Sequence, residues 1–327
     1  MNDANTTSTT KRVIFTDIDP VAIRHPLDQA ATDQLKKLRG FDMLVAKYLE
    51  FRFERLNYVL NTACDVKVGP KQLPRLYKML CEGCTVLDMP EPDLYVSQSP
   101  VVNAFTFGHT KPSIVLYSGL LDLMDDEEVM AVIAHELGHV KCGHVLYMTM
   151  ASQIEEVIAY VKDLLPAIGQ WIGFGMDLTI KIALINWARR AELSADRSAL
   201  LVMQNPRSCV SMLMKLAGGT KRLASELDAE EFLRQARTYA EEGDKNVINS
   251  FYRLLAGTKE DTRPFAVERA KYLNDWIDST EYDQILAGNY PRIIRSVQGR
   301  HCLNCERPLD ATDKFCPSCG RPVVSQG

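Results

Sequence analysis

The stretch Ala134-His135-Glu136-Leu137-Gly138-His139 decides how the rest of the chain reads. On a helix, residues four apart lie one turn up the same face, so both imidazoles can reach a single metal ion. Glu136 sits about 100° round from His135, which aims its carboxylate at a water on that metal rather than at the metal. The preceding residues predict the helix. Asp125 can cap it, Glu128 stands three residues on, and Asp126 and Glu127 add negative charge to a positive first turn. Val129, Met130, Val132 and Ile133 give an apolar approach without proline. Gly138 weakens the helix slightly but lets another backbone come close.

The chain has 327 residues, 46% of them hydrophobic, enough for a sizeable core in one main domain plus an appendage. The expected division is a tail over 1–18, a main domain over 19–297 and a small module over 298–327. Residues Met1 to Thr10 are rich in Asn, Thr, Ser and Asp, as disordered tails are. A net charge of −4 gives no reason to expect a nucleic-acid partner. No basic segment followed by an apolar one opens the chain, so no secretory signal is expected. Nine cysteines, four of them in a metal-like pattern, favour a reducing compartment such as the cytoplasm over a disulfide framework.

A helical pattern runs from Asp28 to about Leu60, and Pro70 precedes a second, with Leu73, Leu76, Tyr77, Leu80 and Cys84 at helical spacing. Cys81 and Cys84 form a CxxC without a partner pair nearby, which reads as ordinary core packing. Three β-like segments follow, Leu94–Val96, Val101–Phe107 and Ser113–Ser118. A small sheet leading into the His135 helix suits a protease, because an edge strand can pair with an extended peptide. Asn103, Ala104 and Phe105 are the candidate edge, with an ordinary strand as the alternative. Residues 145–188 are the most apolar stretch, with Ile154, Val157, Ile158, Val161 and Leu165 on one helical face. Asp177 and Lys181 within its second half argue against a membrane span, since each costs roughly 2.5–3.5 kcal/mol near a span's centre. The expectation is a helical hairpin beside the active helix, with contact at the inner face of a membrane as the alternative.

A catalytic zinc usually takes three protein ligands and a water. His144 lies five residues past His139, whereas the metzincin pattern sets its glycine three and its third histidine six residues past the second. A helix-end or supporting role is expected for His144 instead. The better candidate lies in Glu192-Leu193-Ser194-Ala195-Asp196, where two carboxylates again stand four apart. Glu192 can bind the metal while Asp196 accepts the outer N–H of a ligating histidine.

The order Asn103-Ala104-Phe105, Ser118-Gly119-Leu120, His135-Glu136-Leu137-Gly138-His139 and Glu192-Leu193-Ser194-Ala195-Asp196 resembles the HtpX and CaaX-prenyl-protease family of gluzincin metallopeptidases. It is most similar to their non-spanning bacterial relatives, over roughly residues 90–275. The resemblance implies zinc ligands at His135, His139 and Glu192 and a general base at Glu136. Family members often carry His-Pro followed by an arginine in the C-terminal helices; this chain reads Arg263-Pro264 and then Arg269. Arg269 is thereby a candidate transition-state stabiliser.

Beyond Gly299, Cys302 and Cys305 are separated by ten residues from Cys316 and Cys319. Two such knuckles hold one structural zinc and close a fold too small for its own core. This zinc ribbon can bind a protein partner, contact nucleic acid or cap the chain; its balanced charges argue against nucleic acid. The expected fold is α+β and mainly α-helical, a gluzincin-type domain with a small β-sheet before the active helix, plus the ribbon. The expected function is a zinc endopeptidase acting on polypeptide, possible in protein quality control, with one catalytic and one structural zinc. The alternative is an adaptor or chaperone-like binder of unfolded chains, which would have no need of a base at Glu136.

Overall fold

The computed structural model describes residues 12–36, 59, 62–108, 111–152, 176–245, 265–293, 300–301 and 308–309. They fall into two compact units, Met1–Pro291 and Arg292–Gly327.

The first unit is mainly helical around one small mixed sheet. Short helices α1 (Pro20–Ile23) and α2 (Pro26–Lys36) precede strand β1 (Val66–Lys67) and helix α3 (Pro74–Val86). Helix α3 starts at Pro74 and not after Pro70: Leu73 takes a left-handed backbone, and proline at the first turn sets the helical φ without losing a used N–H. Its spacing then performs as expected, burying Leu76, Leu80 and Cys84. Cys84 is a core thiol, and Cys81 beside it remains free.

Strands β2 (Asp93–Ser97), β3 (Ala104–Phe107) and β4 (Ser113–Tyr117) complete a sheet in the order β1-β2-β4-β3. β2 and β4 run parallel, Leu94 opposite Ile114; β3 runs antiparallel to β4, Phe105 opposite Val115. β3 is therefore an edge. Asn103 precedes it, its carbonyl accepting from the Tyr117 amide at 3.0 Å. Alternation sends Leu94, Ile114 and Leu116 into the main core and Tyr95, Val115 and Phe107 to the opposite face.

Helix α4 (Ser118–Leu123) leads to α5 (Asp126–Lys141), which carries the two histidines. Its start is a capping box: the Asp125 side chain accepts from the Glu128 amide and Glu128 accepts from the Asp125 amide. Helix α6 (Val145–Ser152) follows, and the long α7 (Met176–Met203) carries Glu192 and Asp196. Residues 153–175, including the expected face Ile154 to Leu165, lie outside the described residues. Among those that are described, no helix is long and apolar enough to cross a membrane.

Helices α8 (Pro206–Gly218), α9 (Ala229–Lys245), α10 (Ala266–Ile277) and α11 (Thr280–Leu286) close the unit. Met212, Leu213, Leu273 and Trp276 enter the core as their spacing predicts. Phe15 and Ile18 are also part of the core and are fully buried. The tail expected over residues 1–18 thus gives way to core packing by Phe15, because two large apolar side chains there find a sheltered site. In the second unit, β5 (Arg300–His301) pairs antiparallel with β6 (Pro308–Leu309). Cys302, Cys305, Cys316 and Cys319 lie outside the described residues, as does Arg263.

Candidate metal centre

Gly138 brings the two motif helices together. A Cβ placed there would lie 2.6 Å from the Ser198 Cβ and 2.9 Å from the Ala195 Cα, inside any permissible contact. Only glycine lets α5 and α7 approach this closely. The approach sets His135, His139 and Glu192 around one point, each offering a donor atom within 4.8 Å of the others.

The distances carry more information than the grouping. The two Nε2 atoms are 3.3 Å apart, His135 Nε2 lies 3.3 Å from Glu192 Oε2, and His139 Nε2 lies 3.4 Å from Glu192 Oε1. Tetrahedral ligation with bonds of about 2.0–2.1 Å spaces neighbouring donors roughly 3.3–3.4 Å apart, so the two imidazole nitrogens, each with one Glu192 oxygen against it, stand at separations such a site would have. The donor chemistry agrees. His135 Nδ1 is 3.0 Å from Asp196 Oδ1, a carboxylate that can only accept, so Nδ1 carries a proton and Nε2 is the ring atom that faces Glu192.

The carboxylates of this cluster favour positive charge on their neighbours. Burial disfavours a charged His135, but its hydrogen bonds with Asp196 and Glu192 outweigh it and raise its pKa to about 9. Burial would likewise raise the Glu192 carboxyl, yet the Arg269 charge and the two histidines hold it well below the usual range. Arg269 is buried on α10 and binds Asp196 at two points, Nε to Oδ2 at 2.8 Å and Nη2 to Oδ1 at 2.6 Å. Its Nη1 is 3.1 Å from Glu192 Oε2. The guanidinium thus binds both carboxylates. It holds the donor set.

Glu136 is buried beside its neighbours and outside the three-donor cluster. The hydroxyl of Thr106, on edge strand β3, donates to Glu136 Oε2 at 2.6 Å. His144, the rejected ligand, has a supporting place: its Nδ1 is 3.1 Å from His139 Nδ1 and its Nε2 is 2.9 Å from Asp28 Oδ2. Gly143, at a positive φ of 69°, turns the chain after α5 so that the His144 amide bonds the His139 carbonyl. Thr106 and Asp28 escaped the sequence reading. Alternation could have pointed Thr106 inward, but a lone aspartate in a helix's first turn reads as a dipole partner and nothing more.

Comparison with known proteins agrees with this geometry. The Peptidase family M48 profile matches residues 70–277, and a zinc-ribbon domain profile matches residues 301–323. The plastoglobule-localized metallopeptidase 48 of Arabidopsis thaliana is 38% identical over 276 residues, covering 84% of this chain and 77% of its own. Protease HtpX homolog 2 of Methanosarcina mazei is 29% identical over 51% of this chain and 63% of its own. The HtpX homologue of Moorella thermoacetica is 26% identical over 53% and 63%. The chain thus spans about three-fifths of the length of these two HtpX homologues. No solved structure matches. With its main domain matched from before α3 to the end of α10, the chain belongs to peptidase family M48.

Proposed function

We propose that the chain is a zinc-dependent endopeptidase with Glu136 as its general base. The observation that carries this is the donor cluster: the two Nε2 atoms stand 3.3 Å apart, with Glu192 Oε2 3.3 Å from one and Glu192 Oε1 3.4 Å from the other. His135, His139 and Glu192 would hold the ion, the two-histidine, one-glutamate set of catalytic zinc. Bound zinc supplies a Lewis acid and brings a water's pKa to about 7. Glu136 would accept the proton of a water held there and later deliver it to the leaving amine. Asp196 and Arg269 keep His135 and Glu192 in place.

The substrate is unfolded polypeptide. An edge such as Ala104–Phe107 pairs only with an extended chain, and Phe105 is 37% exposed beside it. A preference for unfolded chain suits a role in protein quality control. The four cysteines Cys302, Cys305, Cys316 and Cys319 would hold a second, structural zinc, in a module that can bind a protein partner. Residues 145–188 are proposed to touch a membrane from the cytoplasmic side without crossing it; the plant relative is named as localised to plastoglobules.

The test is digestion of casein or a peptide library by wild type and Glu136→Gln side by side. The variant should keep zinc while turnover falls roughly 10²–10⁴-fold, the usual contribution of acid–base catalysis. Unchanged proteolysis, with contaminants excluded by a chelator control, would overturn the reading. Silence from both forms despite full zinc would favour a chaperone-like binder.

A further inference from the structure

We infer that Asp28, near the start of α2, is a positioning residue for the metal centre, acting on His139 through His144. The inference rests on the zinc reading above and adds to it a residue from outside the span matched by the family profile, residues 70–277. Asp28 is fully buried, and nothing about a helix surface requires that. Its Oδ2 lies 2.9 Å from His144 Nε2 and accepts from Ser194 Oγ at 2.6 Å, while Oδ1 accepts from Thr32 Oγ1 at 3.1 Å. Among the described residues, two hydroxyls and one imidazole hold this carboxylate, and His144 is the partner that links it to the metal centre.

Proton accounting fixes the rest. Asp28 only accepts, so His144 must carry its proton on Nε2. His144 Nδ1 is then a lone pair, and it faces His139 Nδ1 at 3.1 Å. His139 must therefore carry its proton on Nδ1, which leaves its Nε2 lone pair for the ion. One carboxylate sets two tautomers in sequence. The arrangement is asymmetric: His135 leans directly on Asp196 from α7, whereas His139 leans on a carboxylate one imidazole further away. Trp187 keeps the intermediate ring from turning. It packs edge-on against His144 at 5.6 Å between centroids, and its indole N–H is tied to Thr32 Oγ1 at 2.8 Å. A buried carboxylate with a purely structural task would be equally at home on the hydroxyls alone. The chain of ring nitrogens pointing from it to a donor atom is what assigns it to the metal.

The prediction is tested by zinc affinity, measured by chelator competition on the full chain well below its melting temperature. The relevant titration step is the one that His139→Ala abolishes. Asp28→Asn and His144→Gln should each weaken that step by roughly 10–100-fold, as changes to a ligand's outer partner do. The double variant should lose little more than the weaker-binding single, since both break one relay. Absorption of the cobalt-substituted protein should shift in both singles. Leu80→Ala, in the core of α3, serves as a destabilising control that keeps wild-type affinity. Wild-type affinity in both Asp28→Asn and His144→Gln would overturn the inference and leave the zinc reading standing. A titration unaltered by His139→Ala would overturn both. If Asp28→Asn does not fold, His144→Gln alone decides between the two outcomes.

Discussion

Thr106 and Glu136 are joined by a 2.6 Å hydrogen bond that links the edge strand to the carboxylate beside the donor cluster. The hydroxyl donates and the carboxylate accepts, so the strand proposed to hold substrate also holds the proposed base. A hydrogen bond to a charged group contributes about 1.5–3 kcal/mol. Thr106→Val keeps the shape and removes the donor. We expect kcat to fall roughly tenfold, about 1.4 kcal/mol, with KM and zinc content little changed. Thr106→Ser should restore most of the loss. A fall in KM-side binding alone, with kcat intact, would mean the contact serves the strand and not the base.

Arg269 sits between the buried carboxylate of Asp196 and the partly buried one of Glu192, and all three of its nitrogens are used on them. Removing one partner of a buried charge network leaves the others uncompensated, at about 3–5 kcal/mol. Arg269→Met should lower stability by that order in urea unfolding. A variant as stable as wild type would show that the carboxylates take up protons or water at little cost.

Metal content separates the two proposed sites. Close to two zinc ions per chain are expected by elemental analysis. His139→Ala should remove one and Cys316→Ser the other, because the donors belong to separate units of the chain. A wild-type value of one would remove one of the two assignments.

His25 makes the fold sensitive to acid. Its pKa is lowered from 6.5 to about 4, first by burial and then by the Arg197 charge, with Asp28 opposing. Its Nδ1 accepts the Leu27 amide at 3.1 Å, which a protonated ring cannot do. Between about pH 6.5 and 4 the unfolded chain binds a proton that the folded chain refuses, so this contribution is complete above 6.5 and declines as pH falls. Urea midpoints at pH 7 and pH 5 should differ less in His25→Gln than in wild type. An equal difference would place the acid sensitivity elsewhere.

What repeats with the backbone was legible in the chain's residue order alone. Four-residue spacing put His135 with His139, and Glu192 with Asp196, on single helix faces, because a helix turns about once in that distance. Asp125 and Glu128 announced the capping box, strand alternation marked the edge at Ala104, and Gly138 signalled a close approach before its neighbour was visible. Only the tertiary structure decided what meets across the chain. Asp28 reaches His144 over 116 positions, Arg269 reaches Asp196 over 73, and Thr106 reaches Glu136 over 30. No periodicity connects such pairs. They exist because α2, β3 and α10 each pack against the helices that carry the motifs, and a side chain finds its partner only when two such surfaces come to rest together. That is also why Phe15 and Ile18 read as tail and fold as core: their burial depends on a site built by residues far along the chain.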